Sequence, residues 1–399
     1  MNFDFLNRRF LERARDGVIG FRQLVEEAEP NKIELDDLLA HVRAFDHTVT
    51  LEREFRIAGV DGSGEFPVLH QDDVFMHFVV AAATLFQTAS TRQHKLSMIS
   101  FEEGIHADFV VLRDEAKAVR GAYAAFLERL LGITPRAMAQ GSDYVDVFNA
   151  ASERRRIRAE DVIFSRMAFP KASEIASHAY QIRSLAEVSL GIRLLTQRPD
   201  YLLIDTSLVY FLLGESIYLP ELLKRFLVCG ALTQGTCVVA LSKSHNIPNG
   251  DLIAKRVKEE REFPDHWYLR LPSEALGERR LPWLEEKEVP PKLGVSYLFK
   301  FHATDFPMRI DLDAAWWSKN IRGDEAAERR LFQDLDFTCH DSRSYGYPYP
   351  LHASHRRSAL TRQERLALRD VVIRLAAQEG ILRAGTSSRD PEMVHMGGI

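Results

Sequence analysis

Cysteine is scarce: a chain of 399 residues holds three, Cys229, Cys237 and Cys339. The number is odd and no two stand in C-x-x-C spacing. That excludes a disulfide scaffold and a cysteine-built zinc site, and points to a reducing compartment. No charge of one sign dominates, since 52 Lys and Arg face 57 Asp and Glu for a net charge of −5. A globally basic nucleic-acid coat protein is thereby excluded, while a local basic channel is not. Long apolar runs are missing too. The most apolar stretches, 75–86 and 201–213, fall short of the ~20 residues a bilayer span needs, and the second carries Asp205. The opening MNFDFLNRRFLERARD has no apolar core of a secretory signal, so a soluble, cytoplasmic protein without membrane contact is expected. There is no internal repeat, P-loop, GxGxxG before a helix, HExxH or GxSxG.

What is present is ordinary globular composition, 46% hydrophobic and 27% charged, with 24 Phe, 11 Tyr and 4 Trp to fill a core. Residues 1–48 read as a helical segment: Phe10, Leu11, Ala14 and Val18 recur at helical spacing, and LDDLLAHVRAF repeats the pattern. Glu54 to Val60 reads as a strand running into a glycine turn at Asp61-Gly62-Ser63-Gly64. Strands are expected at 74–86 and 95–101 and a helix at 115–131. A long helix over 172–195 carries the stripe Ile175, Ala179, Ile182 and Ala186. Pro199-Asp200 ends it, and a buried strand at 201–204 leads to Asp205. A helix from about 220 to 232 and a strand at 237–241 follow, then strands at 295–301 and 308–312. The helix 361–379 opens on a capping box, Thr361 with Glu364. The Pro-rich stretch 263–293 reads as an irregular arm, and the last residues as a frayed tail. The alternation of strands and helices predicts an α/β protein, a sheet with helices on its faces. The N-terminal helical segment 1–48 would precede a main domain at 49–399, interrupted by insertions at about 100–170 and 250–293.

Two carboxylates stand at predicted strand ends, Asp61 in RIAGVDGSGEF and Asp205 in YLLIDTSLVYF. Open α/β sheets bind ligands at such ends. Side by side, the two repel unless a hard divalent cation lies between them. Glu187, on the long helix with Arg183 one turn before it, can supply a third oxygen. Each acid also has a plainer use: DGSG as a turn, Glu187 as an i,i+4 partner of Arg183, Asp205 as a cap on Thr206-Ser207.

Downstream, Lys243 follows the strand CVVAL and can meet a phosphate or simply be solvated. SYGYPYPLHASHRR gathers Tyr345, Tyr347, Tyr349, His352 and His355 beside two arginines. Such aromatics can stack bases, or build rigid Tyr-Pro turns. The run Arg154 to Arg158, with Arg356, Arg357, Arg362, Arg365, Arg369 and Arg374, reads as solvated unless these side chains line one channel.

Together, GVDGS at one strand end, DTSL at another, a strand followed by S-K, and a C-terminal YPYPLHASH resemble, in that order over residues 50 to 375, the NurA nucleases. YPYPLHASH is the most specific piece. Thr206 departs from the family's glycine after the second acid. The resemblance implies an RNase H-like mixed sheet flanked by helices and a homodimer. It implies degradation of single-stranded DNA and duplex ends with Mn²⁺ or Mg²⁺. It also implies work beside HerA, a hexameric DNA-translocating ATPase, in DNA end processing or defence against foreign DNA. Residue by residue, it assigns Asp61, Glu187, Asp205 and His355 to the metal, and those four with Lys243 and Tyr347 to catalysis. Two rivals differ in kind. A restriction-like PD-(D/E)xK nuclease would start at Pro199-Asp200, but Glu285-Glu286-Lys287 lies in the Pro-rich arm rather than in a following strand. A catalytically silent adaptor of a DNA-translocating ATPase would need a damaged acidic set, and all three acids are present.

Overall fold

The computed structural model describes residues 8–27, 38–46, 53–89, 95–99, 105–132, 171–208, 219–242, 253, 255–257, 266–271, 294–301, 307–341, 344 and 346–381. After helix α1 (Arg8–Glu27) come strands β1 (Arg43–Ala44), β2 (Arg56–Gln71), β3 (Val74–Ala89), β4 (Lys95–Met98) and β5 (Ile105–Arg113). Helices α2 (Ala116–Leu131) and α3 (Ile175–Leu194) precede β6 (Tyr201–Ile204), α4 (Leu219–Gln234) and β7 (Cys237–Ser242). Strands β8 (Trp267–Arg270), β9 (Gly294–Lys300) and β10 (Met308–Asp313) follow. Helices α5 (Ala314–Asn320), α6 (Glu325–Cys339), α7 (Tyr349–Ser358) and α8 (Arg362–Gln378) close the chain.

All ten strands form one mixed sheet in the order β1-β8-β9-β10-β7-β6-β2-β3-β4, with β5 also on β3. At its centre β2, β6 and β7 run parallel, and the flanking pairs are antiparallel. The expected mixed sheet flanked by helices is what the chain forms. Period-two alternation sorts the central strands onto two cores. Ala58, Val60, Leu202, Ile204, Val238 and Ala240 pack with Tyr123, Leu185 and Leu227 of α2, α3 and α4. Ile57, Tyr201, Leu203, Val239 and Leu241 pack with Phe332, Leu335, Leu351 and Ala353 of α6 and α7 on the other face. Deleting one of these large side chains would cost about 2–5 kcal/mol.

Four local expectations are corrected. Asp61-Gly62-Ser63-Gly64 is not a turn: β2 runs through it, paired with Ala82, Ala81, Val80 and Val79 of β3. The glycines permit close approach instead, since a Cβ at Gly64 would lie 2.2 Å from the Phe78 carbonyl oxygen. The helical pattern of LDDLLAHVRAF holds at Leu38 and Leu39 but ends in a turn, after which Arg43–Ala44 pair with β8 as β1; Leu38, Leu39 and Val42 are buried with Trp267, Leu269 and Ile253. The arm at 263–293 contains β8, whose Trp267–Leu269 are buried between β1 and β9. The Tyr-Pro segment becomes helix α7, with Pro at its start where the missing N–H is harmless. Of the stretch 100–170, residues 105–131 add β5 and α2 to the sheet and its first core. The capping box at Thr361 forms as expected. No described helix is long and apolar enough to cross a membrane.

Candidate active site

Parallel pairing of β2 with β6 puts Val60 opposite Ile204, so Asp61 and Asp205 occupy the next position on neighbouring strands. Asp61 therefore lies within β2 rather than at its end, while Asp205 directly follows β6. Asp61 is buried. Its Oδ1 accepts the Gly62 N–H at 2.8 Å, and its Oδ2 lies 2.6 Å from Nδ1 of His355.

His355 reaches Asp61 because α7 lies directly on β2. A Cβ on Gly59 would come within 2.4 Å of the Pro350 carbonyl carbon, so only glycine admits the helix. The Ser354 hydroxyl donates to the Gly59 carbonyl at 2.7 Å, and the Thr84 hydroxyl to the Pro350 carbonyl at 2.9 Å. With an ionised Asp61, His355 Nδ1 is the donor, leaving Nε2 to exchange a proton or meet a ligand. The His355 side chain is 49% exposed, so the site opens to solvent here. His352, three residues earlier, instead sits 6.3 Å from the Tyr349 ring.

Glu187 arrives from the opposite face, where α3 packs on β2, and is only 3% exposed. A Cβ at Gly62 would come within 2.9 Å of Glu187 Oε1, so this second glycine admits the carboxylate. Burial pushes the Glu187 carboxyl up to about 8; Arg183 and, more weakly, the Gly62 N–H pull it down, and the charges of Asp61 and Asp205 push it further up. Arg183 Nε stands 3.5 Å from Glu187 Oε1, an ion pair without a hydrogen bond. Among the described residues Glu187 Oε1 accepts no hydrogen bond. The plainer pairing with Arg183 and the contact with the two aspartates thus coexist.

Tyr347 joins the same group. A turn after α6, with Gly346 at φ 81° and its N–H on the Cys339 carbonyl, carries it in. Burial raises the Tyr347 phenol well above its ordinary range, and the Asp205 and Asp61 charges raise it further, so it stays a hydroxyl donor. The segment after Asp205 is tethered as well. Buried Lys224 donates to the Ser207 carbonyl at 3.0 Å, and Asp311 Oδ2 accepts from the Ser207 hydroxyl and Leu208 N–H.

Five predicted site residues therefore meet: Asp61, Glu187, Asp205, Tyr347 and His355. Lys243, Tyr345 and the run Arg154 to Arg158 lie outside the described residues. Asp200, the start of the restriction-like alternative, is tied to Arg53 and to the Arg56 N–H. Sequence reasoning missed the supports Gly59, Thr84, Ser354 and Lys224; glycines inside a strand were the available signal.

A buried oxygen without a hydrogen bond, pressed by two further carboxylates, fits a hard divalent cation with oxygen ligands. Asp61, Glu187 and Asp205 offer those oxygens, and His355 Nε2 a nitrogen.

Neither a known family model nor a curated protein matches the chain. Among solved structures it is similar to the NurA nuclease from Sulfolobus solfataricus, with a TM-score of 0.48 and 12% identity over 94% of this chain and 98% of that one. It is also similar to NurA with manganese, at a TM-score of 0.38 and 10% identity over 94% and 99% of the two chains. NurA bound to dAMP and manganese follows, at a TM-score of 0.35 and 12% identity over 89% and 94%.

Proposed function

We propose that this protein is a divalent-metal-dependent deoxyribonuclease acting on single-stranded DNA and duplex ends. The observation that carries the reading is the meeting of Asp61, Asp205 and Glu187 from two strands and a helix, with His355 hydrogen-bonded to Asp61 at 2.6 Å. Supporting it is the ordered set of motifs that resembles the NurA nucleases.

Asp61, Glu187 and Asp205, joined by His355, would hold Mn²⁺ or Mg²⁺. When bound, such an ion lowers the pKa of water and neutralises phosphate charge. The chain's own groups do the rest. Asp61 fixes the His355 ring through Nδ1, so that Nε2 either completes the metal shell or, left off the ion, takes a proton from the attacking water or returns one to the departing oxygen. Tyr347, kept protonated by its surroundings, donates a hydrogen bond toward a phosphate oxygen. Lys243 adds positive charge where the transition state gains negative charge. The half-exposed His355 edge admits a strand of DNA.

In this proposal residues 49–399 are the nuclease domain and 1–48 an N-terminal segment. A homodimer would set two such sites about a shared DNA path. A HerA-type hexameric ATPase would feed DNA to them, in end processing or defence. Incubating purified protein and end-labelled DNA with manganese, against EDTA, tests the reading: metal-dependent shortening is expected. Intact DNA under both conditions would leave the silent adaptor as the better account.

A further inference from the structure

Away from the acidic group, two imidazoles and a carboxylate converge on a buried point. Asp336 and His340 lie four residues apart on the last turns of α6, hence on one face of the helix. His266 stands immediately before β8. His340 Nε2 is 2.8 Å and His266 Nε2 3.7 Å from Asp336 Oδ1, and the three ligand atoms lie within 4.8 Å of one another. The two imidazole rings lie with centroids 5.5 Å apart, tilted by 35°. The side chains are shielded from water: 0% exposed for Asp336, 6% for His340 and 19% for His266.

We propose that His266, Asp336 and His340 form a second divalent-cation site, suited to Zn²⁺, that ties the end of α6 to β8. Zinc–nitrogen and zinc–oxygen bonds of ~2.0–2.2 Å in a tetrahedron put neighbouring ligand atoms about 3.4 Å apart. The observed separations from Asp336 Oδ1 bracket that value. Two imidazoles with one carboxylate select zinc or its neighbours over magnesium and manganese, which prefer all-oxygen sets. The donor set thus differs from the oxygen-rich group at Asp61, Glu187 and Asp205. Three protein ligands leave the fourth position for water.

Such a clasp has a clear mechanical role. It joins the end of α6 to β8, next to the edge strand β1, and so to the N-terminal segment. The Phe45 N–H donates to the His266 carbonyl at 3.2 Å, and the Phe45 ring lies 5.9 Å from the His266 ring. From His340 the chain leads directly into the turn pinned by the Gly346 N–H on Cys339, and so to Tyr347. Occupancy would hold that turn in place. The inference stands apart from the nuclease reading.

The competing arrangement is a carboxylate that simply accepts hydrogen bonds from two imidazoles. To separate the two, the full-length chain is stripped with chelator, dialysed and titrated with Zn²⁺, and in parallel with Co²⁺. One equivalent of zinc beyond any held at Asp61, Glu187 and Asp205 is expected, with a higher Tm and a Co²⁺ spectrum typical of tetrahedral imidazole ligation. Binding should persist in an Asp61→Asn/Asp205→Asn double variant. It should weaken at least about tenfold in His266→Gln and His340→Gln. No zinc and no tetrahedral Co²⁺ spectrum in the wild-type chain would overturn the proposal whatever the variants do. So would binding lost with the two aspartates but kept in His266→Gln.

Discussion

Two buried groups of carboxylates, one on β10 and one beside β2, show opposite treatments of the same charge. Asp311 on β10 is fully paired. Arg309 donates to both its oxygens at 2.8 Å, and Ser296, Ser207 and the Leu208 N–H add further hydrogen bonds. Glu65, further along β2 than Asp61, is likewise matched by Arg369 and Arg365 of α8. Glu187 faces Asp61 and Asp205, and its single arginine forms no hydrogen bond with it. A buried carboxylate with a guanidinium partner is costly to break; in the proposed function, three that crowd one another keep a place for a cation.

That contrast fixes the expected effects. The largest belongs to the crowded group: Asp61→Asn or Asp205→Asn should reduce cleavage of end-labelled DNA roughly a thousandfold or more, with the fold intact. At the paired site the outcome reverses. Asp311→Asn leaves the Arg309 charge buried without its partner, and urea unfolding should reveal a loss of about 3–5 kcal/mol. Cleavage per folded molecule should fall far less than in Asp61→Asn, and an equal fall would erase the distinction.

His355→Ala should lower turnover about a hundredfold, as expected for a lost proton-transfer group, with His352→Ala much milder. Equal losses would place the motif one turn wrong. Glu187→Gln has the next effect, on stability. Because its folded carboxyl is raised to about 8, the penalty of ionising Glu187 is absent below the unfolded value near 4.5, grows between the two, and is complete above about pH 8. Metal-free Glu187→Gln should therefore melt above wild type at about pH 9, by on the order of a few kcal/mol at most, and match it at about pH 4. A variant equal or less stable at high pH would mean that Arg183 already neutralises Glu187. Smallest of all, Gly62→Ala should fold yet push aside the Glu187 and Arg183 side chains, lowering activity about tenfold.

Much of this was legible in the sequence where one physical cause acts locally. The helices 116–131 and 175–194, the strand before Asp205 and the Thr361 cap follow periodicity and capping, which short segments encode. Asp61 and Asp205 could be proposed because open α/β sheets bind ligands at strand ends, and Glu187 because a helix before the second strand can supply a third oxygen, as the resemblance also implied. Other features depend on distant partners. Glycine in DGSG reads as a turn unless α3 is known to press Glu187 against it. Trp267–Arg270 reads as part of a loop until β1 and β9 pair with it. The seating of α7 needs Gly59 and Thr84, which lie 295 and 270 residues before their partner Ser354. His266, Asp336 and His340 follow no compact ligand spacing and converge only through the fold.

The most direct test of the central claim is a calorimetric titration of manganese into the metal-free chain in buffers of different ionisation enthalpy. With its carboxyl raised to about 8, Glu187 carries a proton in most molecules near neutral pH. Binding at Asp61, Glu187 and Asp205 must expel it. The account predicts release of close to one proton per site at about pH 7, little at about pH 9.5, and no binding to that site in Asp61→Asn. Manganese bound with no proton released at either pH, or bound equally well by Asp61→Asn, would contradict it.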